Sequence, residues 1–361
     1  MQDAEMHPGC GNTGSDAVSC IRGNFREYLR EVLTMYRIGI DLGGTNIKAV
    51  LLDEFNHIVV SDSCPTQAAS GFEGIMNSIL ILIRKLFSEV PEVPGTERDE
   101  IRGGLTIPGQ IYGPEGPVLY APNLGWHDVD PVAYLRRNLG VPFVMANDAD
   151  CIALAEAVVG TGEKYRSILM LALGTGVGGA FILNRQIFDG FGAFGGEFGH
   201  FPLVHNGHPC SCGLNGCFEQ YCSATALARL GREAMAADSE AARNSSLWAL
   251  CAHEPERLTT VHLFKAAAEG DPAAVKVIND FLDYLAEGIT GLVNIFRPEA
   301  VIIGGGLAEA GDALFIPVNE RISKMTYGHS YISAPPVIKA SGGVYTGAIG
   351  AALLTPAERE N

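Results

Sequence analysis

Basic side chains are scarce in this chain: 25 Lys and Arg stand against 41 Asp and Glu in 361 residues, a formal net charge of −16. A surface of that sign repels nucleic acid and anionic membranes, so neither is an expected partner. A membrane-length apolar run is missing too. The uncharged stretch from Ser167 to Leu183 is centred on Gly174-Thr175-Gly176, which reads as two strands joined by a turn. The first thirty-odd residues lack the apolar core of a secretory signal. Among the nine cysteines, Cys10, Cys20, Cys64, Cys151, Cys222 and Cys251 show no paired framework, which points to a reducing, cytoplasmic setting. Neither a Walker A sequence nor the His-Arg-Asp signature of protein kinases occurs.

What is present is regular punctuation from Met35 onward. The residues before it contain a short helical pattern, Phe25 to Leu33, and are expected to be a poorly ordered extension covering 1–34. Arg37 to Ile40, Ile47 to Leu52 and His57 to Val60 read as strands, and Ile75, Ile79, Leu82, Ile83 and Leu86 recur at helical spacing. Pro91 to Gly95 reads as a loop, Ile101 to Ile107 as a strand ending in Pro108-Gly109, and Pro142 to Ala146 as a strand delivering Asn147-Asp148. Leu135 to Leu139 is helical, and a further helix is expected after Cys151, through Val158. Asp271-Pro272 starts a helix whose stripe includes Val275, Ile278, Leu282, Leu285, Ile289 and Leu292. Ala300 to Ile303 is a buried strand running into Gly304-Gly305-Gly306, and Gly347 to Leu354 is a helix of small residues suited to close packing. Strand–glycine-turn units thus recur in both halves, which suggests two similar α/β domains facing each other across a cleft.

Between His200 and Cys217 one imidazole and three thiols, Cys210, Cys212 and Cys217, lie in a single loop. Three Cys and one His fill a tetrahedral zinc shell with no open position, so the metal is a structural staple. A Cys-x-Cys pair is poorly shaped for a disulfide. Glu197 and Glu219 flank the loop, two carboxylates presented as in a site that grips a polyol.

Three glycine turns suit phosphate or nucleotide contact. In Asp41-Leu42-Gly43-Gly44-Thr45 the glycines let amides approach phosphate oxygens, Thr45 adds a hydroxyl, and Asp41 can hold magnesium through water. Gly174-Thr175-Gly176-Val177-Gly178-Gly179 meets the dinucleotide spacing, but that fingerprint needs a helix afterwards. Here Ala180 to Leu183 continues as strand, which counts against a nicotinamide dehydrogenase. At Gly304 to Gly306 a flat purine could lie on bare backbone.

In order along the chain, these features resemble the ROK family of sugar kinases. The most specific part is Glu197-x-Gly-His200 followed by Cys210-x-Cys212-Gly213-x-x-Gly216-Cys217-x-Glu219. Asp41-x-Gly-Gly-Thr45, Pro108-Gly109, Pro122-Asn123-Leu124, Asn147-Asp148 and Gly304-Gly305-Gly306 support it. The resemblance implies a two-domain actin-like ATPase fold, ribonuclease H-like, with an interdomain cleft. It also implies a small domain at 35–146, joined by the C-terminal helix at 346–358, and a large domain at 147–345 carrying the zinc loop. The activity implied is ATP-dependent phosphorylation of a hexose, glucose to glucose 6-phosphate first, with N-acetylglucosamine, N-acetylmannosamine or another hexose as alternatives.

In such kinases the aspartate after asparagine is the general base, here Asp148. A carboxylate in that place accepts the sugar hydroxyl's proton as the phosphoryl group transfers; alone, the residue reads as a helix cap. Asn123, Asn147, Glu197, His200 and Glu219 would hold other sugar hydroxyls. The family motif often continues Asp-Ala-Asn, whereas this chain has Asp148-Ala149-Asp150. Relatives are commonly dimers or tetramers. Some are sugar-responsive repressors with an N-terminal helix-turn-helix, but the residues before Met35 show no such helix pair.

Overall fold

The structure, a computed structural model, describes residues 36–90 and 102–354. The 1–34 extension, the Pro91–Gly95 loop and the end of the expected 346–358 helix lie outside the described residues. Among those described, no helix is long and apolar enough to cross a membrane. Contacts divide the chain into two units, one running to Cys151 and resuming at Gly347, the other Ile152–Thr346. The divisions therefore fall at 151/152 and 346/347 rather than at 146/147 and 345/346. The start of the Asp148–Val159 helix counts with the first unit, where Gly350 packs on the Cys151 carbonyl.

In the first unit the strands are β1 (Arg37–Leu42), β2 (Asn46–Leu52), β3 (Ile58–Pro65), β4 (Gly103–Ile107), β5 (Gln110–Ile111), β6 (Val118–Ala121), β7 (Trp126–Val129) and β8 (Phe143–Asn147). A five-stranded sheet has the order β3-β2-β1-β4-β8, and β5-β6-β7 form a smaller sheet. β1 to β3 form an antiparallel meander, while β4 and β8 add to β1 in parallel. The second unit has β9 (Ser167–Leu173), β10 (Val177–Leu183), β11 (Gln186–Ile187), β12 (Ala300–Gly304) and β13 (Val337–Lys339), in the order β11-β10-β9-β12-β13. Each five-stranded sheet therefore runs third, second, first, fourth, fifth. The hairpin expected from Gly174-Thr175-Gly176 is present, and β10 pairs antiparallel with β9 from Val177↔Leu173 to Leu183↔Ser167. β4 and β12 are buried at every position, as a central strand covered on both faces requires.

The helix Pro272–Phe296 spans 25 residues, and the Asp271 side chain caps it by accepting from the Ala274 amide at 3.0 Å. Its buried face is broader than the sequence stripe: Val277, Phe281 and Val293 are interior, while Val275 is only half-buried. Helices Ala224–Ala236, Thr260–Ala268 and Asp312–Met325 were not anticipated. The first is rich in alanine, so its buried stripe carries few of the large apolar side chains that make a helical period visible.

The small-residue helix Thr346–Leu353 lies on the first sheet at very close range. A Cβ added at Gly104 of β4 would sit 1.7 Å from the Ala351 carbonyl oxygen, and the obstacle is backbone that cannot rotate away. Gly104→Ala must push the helix off the sheet and is expected to lower stability by about 3 kcal/mol. Thermal melting checks this, and an unchanged midpoint would refute so close an approach.

Candidate active site

Three parallel strands bring the first group of candidate residues to one edge of their sheet. The register pairs Asp41 with Thr106 across β1 and β4, and Ile107 with Asn147 across β4 and β8. The C-terminal ends of all three strands therefore open on the same side, the usual place for ligands in α/β sheets. The Thr106 hydroxyl donates to Asp41 Oδ1 at 2.9 Å and accepts from the Leu42 amide at 3.1 Å, which fixes the carboxylate. Lys48, opposite Asp41 on β2, brings its Nζ within 4.0 Å of Oδ2. Neither Thr106 nor Lys48 was singled out from the sequence. The pairing of Lys48 with Asp41 across a tight hairpin was the available signal for the latter.

The helix after β8 begins at Asp148, earlier than expected. Asn147 Oδ1 accepts from the Ala149 amide at 2.9 Å, so it is the asparagine that supplies a cap, while its Nδ2 donates to the Gly109 carbonyl at 3.3 Å. Asp148 is exposed in the first helical turn, and its Oδ1 also accepts from the Ala149 amide at 2.9 Å. Asp150 stands one step further along the same turn. Burial holds the Cys151 thiol well above its ordinary pKa, and the charges of Asp150, Asp41 and Asp148 add to that push.

Asn123 sits in the 3-10 turn Pro122–Leu124, its Cβ 3.2 Å from where a Cβ on Gly44 would lie. It therefore shares the neighbourhood of the Gly43-Gly44 turn. Within that turn the Gly43 amide donates to the Asn46 carbonyl at 3.0 Å, and the Thr66 amide donates to the Thr45 carbonyl at 2.9 Å. The Gly174 amide is likewise used inside its own turn, donating to the Gly176 carbonyl at 3.0 Å. The Gly43 and Gly174 amides are thus each taken up within their own turn.

The second group lies wholly in the second unit. β9 and β12 are parallel, so the turn after β9 and the Gly304-Gly305-Gly306 run after β12 share one sheet edge. Gly305 takes a φ of 83°, and a Cβ there would lie 2.5 Å from the Leu173 carbonyl oxygen, so the chain needs glycine at that crossing. Glu197 is exposed just before the 3-10 turn Phe198–His200. Glu219 begins the short helix Glu219–Cys222, half-buried, with Oε2 accepting from the Val177 amide at 3.0 Å.

His200, Cys210, Cys212 and Cys217 bring their ligand atoms within 4.8 Å of one another. His200 Nδ1 lies 3.6 Å from Cys210 Sγ, and Cys212 Sγ lies 3.6 Å from Cys217 Sγ. A zinc tetrahedron with bonds of about 2.3 Å has sulfur–sulfur edges of about 3.8 Å, so the four fit that ion. Burial raises the pKa of both inner thiols. Bonds from Cys212 and His200 nonetheless bring Cys210 down to about 7, while Cys217, sharing protons with Cys212 and Cys210, is pushed up to about 12. Thiols so crowded cannot all ionise unless a cation compensates them.

Missed altogether was Glu156, 1% exposed, in the second unit. Its carboxylate accepts from the Thr161, Ser341 and Gly342 amides and the Ser341 hydroxyl, at 2.9–3.1 Å. It pins the loop before the C-terminal helix. A single Glu near a helix end reads as a surface residue, so the sequence carried no signal for it.

A sequence profile of the ROK family matches residues 37–358. The glucokinase of Thermotoga maritima is 34% identical over 311 residues, covering 84% of this chain and 94% of that protein. Among solved structures, the ROK hexokinase from Thermus thermophilus superposes with a TM-score of 0.73 at 30% identity, over 88% of this chain and 97% of the other. A ROK family glucokinase from Streptomyces griseus, in complex with glucose and AMPPNP, gives 0.67 at 29% identity, over 88% and 98%. The shared fold is the two-domain α/β fold of the actin-like ATPases. With the profile spanning nearly all of the described chain, the protein belongs to the ROK family.

Proposed function

We infer that this protein is an ATP-dependent sugar kinase that phosphorylates a hexose hydroxyl, and we propose glucose, giving glucose 6-phosphate, as the reaction. The observation that carries this reading is Asn147-Asp148 at the end of β8, on the same sheet edge as Asp41 and Thr106. Family membership and the glucokinase relatives support it.

In this reading Asp148 accepts the proton of the attacking hydroxyl. A neutral hydroxyl is a poor nucleophile, and a carboxylate within hydrogen-bond reach removes the charge that would otherwise build on its oxygen. Phosphoryl transfer needs positioning and charge neutralisation more than covalent help. The amides of Gly44, Thr45, Thr175 and Gly176 serve the phosphates, and Gly304-Gly305-Gly306 offers bare backbone to the purine. Asp41 would hold magnesium through water, and the ion supplies charge neutralisation between the phosphates when bound. Asn123, Asn147, Glu197, His200 and Glu219 hold the remaining sugar hydroxyls. His200, Cys210, Cys212 and Cys217 would hold a structural zinc. With Nδ1 turned to the thiols, the other nitrogen of His200 is the one for the sugar. A homodimer or homotetramer in the cytoplasm is the matching assembly and setting.

A coupled assay with magnesium-ATP over glucose, mannose, fructose, allose, N-acetylglucosamine and N-acetylmannosamine tests the substrate. Glucose is expected to give the highest kcat/KM. A 2-acetamido sugar turned over faster than glucose would overturn the glucose assignment and leave the kinase; no turnover of any hexose would overturn both.

A further inference from the structure

We propose that Glu219 is a positioning residue for the nucleotide, locking the Gly174-Thr175-Gly176 turn to the metal-ligating loop. The proposal rests on reading that turn as a phosphate contact. Glu219 follows the ligand Cys217 by two residues and begins the helix Glu219–Cys222. Its Oε2 accepts from the Val177 amide at 3.0 Å, at the point where the turn becomes β10. The same oxygen lies 2.2 Å from where a Cβ on Gly176 would stand, so the carboxylate fills the space that glycine leaves. Just beyond the same helix, the Ala224 amide donates to the Gly174 carbonyl at 2.8 Å and ties down the other end of the turn.

The loop on which Glu219 rides is itself held at several points. Cys217 bridges to Pro202, and the Phe218 amide donates to the Phe201 carbonyl at 2.9 Å. The Phe198–His200 turn meets the same strand position from another direction, for a Cβ on Gly199 would lie 2.1 Å from the Val177 carbonyl oxygen. Val177 thus has its amide bonded to Glu219 and its carbonyl closely packed against the segment that bears His200. Oε1 of Glu219 has no protein partner among the described residues, so one carboxylate serves both substrates: Oε2 sets the phosphate amides and Oε1 meets a sugar hydroxyl.

The test is nucleotide affinity without sugar, measured by calorimetry with magnesium and a non-hydrolysable ATP analogue. Glu219→Ala removes the acceptor and is expected to weaken that affinity about tenfold, the worth of one charge-assisted bond to a backbone amide, with the wild-type zinc content retained. Glu219→Gln keeps an amide oxygen for the Val177 N–H and is expected to bind within about threefold of wild type. Glu219→Asp keeps the charge but falls one methylene short. It should match the alanine variant and replaces it if alanine loses the fold.

Gly176→Ala forces a methyl group against the carboxylate and is expected to weaken nucleotide binding, with much less further effect in the Glu219→Ala background. A contact limited to the sugar predicts nucleotide affinity within about twofold of wild type for Glu219→Ala and Glu219→Asp. That result, with Gly176→Ala still weakened, overturns the positioning role alone. If Gly176→Ala also binds normally, the phosphate reading of the turn has failed, and the proposal falls with it.

Discussion

Asp148→Asn is expected to cut turnover by about 10²–10⁴-fold with magnesium-ATP and sugar saturating, while sugar affinity changes far less. The substitution keeps the shape of the side chain and its capacity to accept from the Ala149 amide, which Asp148 Oδ1 does at 2.9 Å. What it removes is the ability to take a proton. The rival role for this position is a helix cap, and asparagine caps as well as aspartate. The local hydrogen bonding already weakens that rival, since Asn147 Oδ1 caps the same amide from the preceding residue. Steady-state kinetics on folded protein decide between them. Turnover within about threefold of wild type would leave Asp148 as a structural residue and remove the base from the mechanism.

Loss of the zinc proposed for the Cys-His loop is the second large expected effect. The purified protein is expected to carry about one zinc per chain, and Cys212→Ser should abolish most of it. Cys212 is the exposed member of the set, so serine there buries no unpaired hydroxyl, and what is lost is the metal bond itself. Sugar affinity should fall at least about tenfold, because Glu197, His200 and Glu219 all sit on the segment the metal orders. Global unfolding is not expected. The core of the second unit is built mainly from Pro272–Phe296 and the five-stranded sheet; the segment joins it through Phe198, Phe218 and Tyr221, whose burial does not depend on the metal bond. Elemental analysis and sugar titration check the pair of outcomes. Wild-type protein purified without chelators that holds no zinc yet binds sugar tightly would sink the staple. Through Glu219, the same metal loss should also weaken nucleotide binding, in proportion to how far the Gly174–Gly176 turn relaxes.

The sequence by itself determined the elements whose physics is local. Strand–glycine–strand punctuation gave the β1–β2 and β9–β10 hairpins, because a turn needs small residues at fixed places and buried strands need apolar runs. Asp271-Pro272 announced the longest helix, since a cap and a proline act within one turn. The Cys-x-Cys loop with its preceding His named four candidate ligands, and the chain brings those four within 4.8 Å of one another.

Decided only in three dimensions were the partners of those residues. Thr106 reaches Asp41 because β4 lies beside β1, a pairing between residues 65 apart. Glu156 is buried because a loop 185 residues away supplies the donors that make burial tolerable. Gly104 must be glycine because Ala351 arrives from the far end of the chain. Glu219 shows the difference most sharply. Its place beside Cys217 marked it as a sugar ligand, yet its bond to Val177 depends on where helix Glu219–Cys222 meets the end of β10. Local pattern fixes which atoms a residue offers; which of them are used is set by what long-range packing brings within about 3 Å.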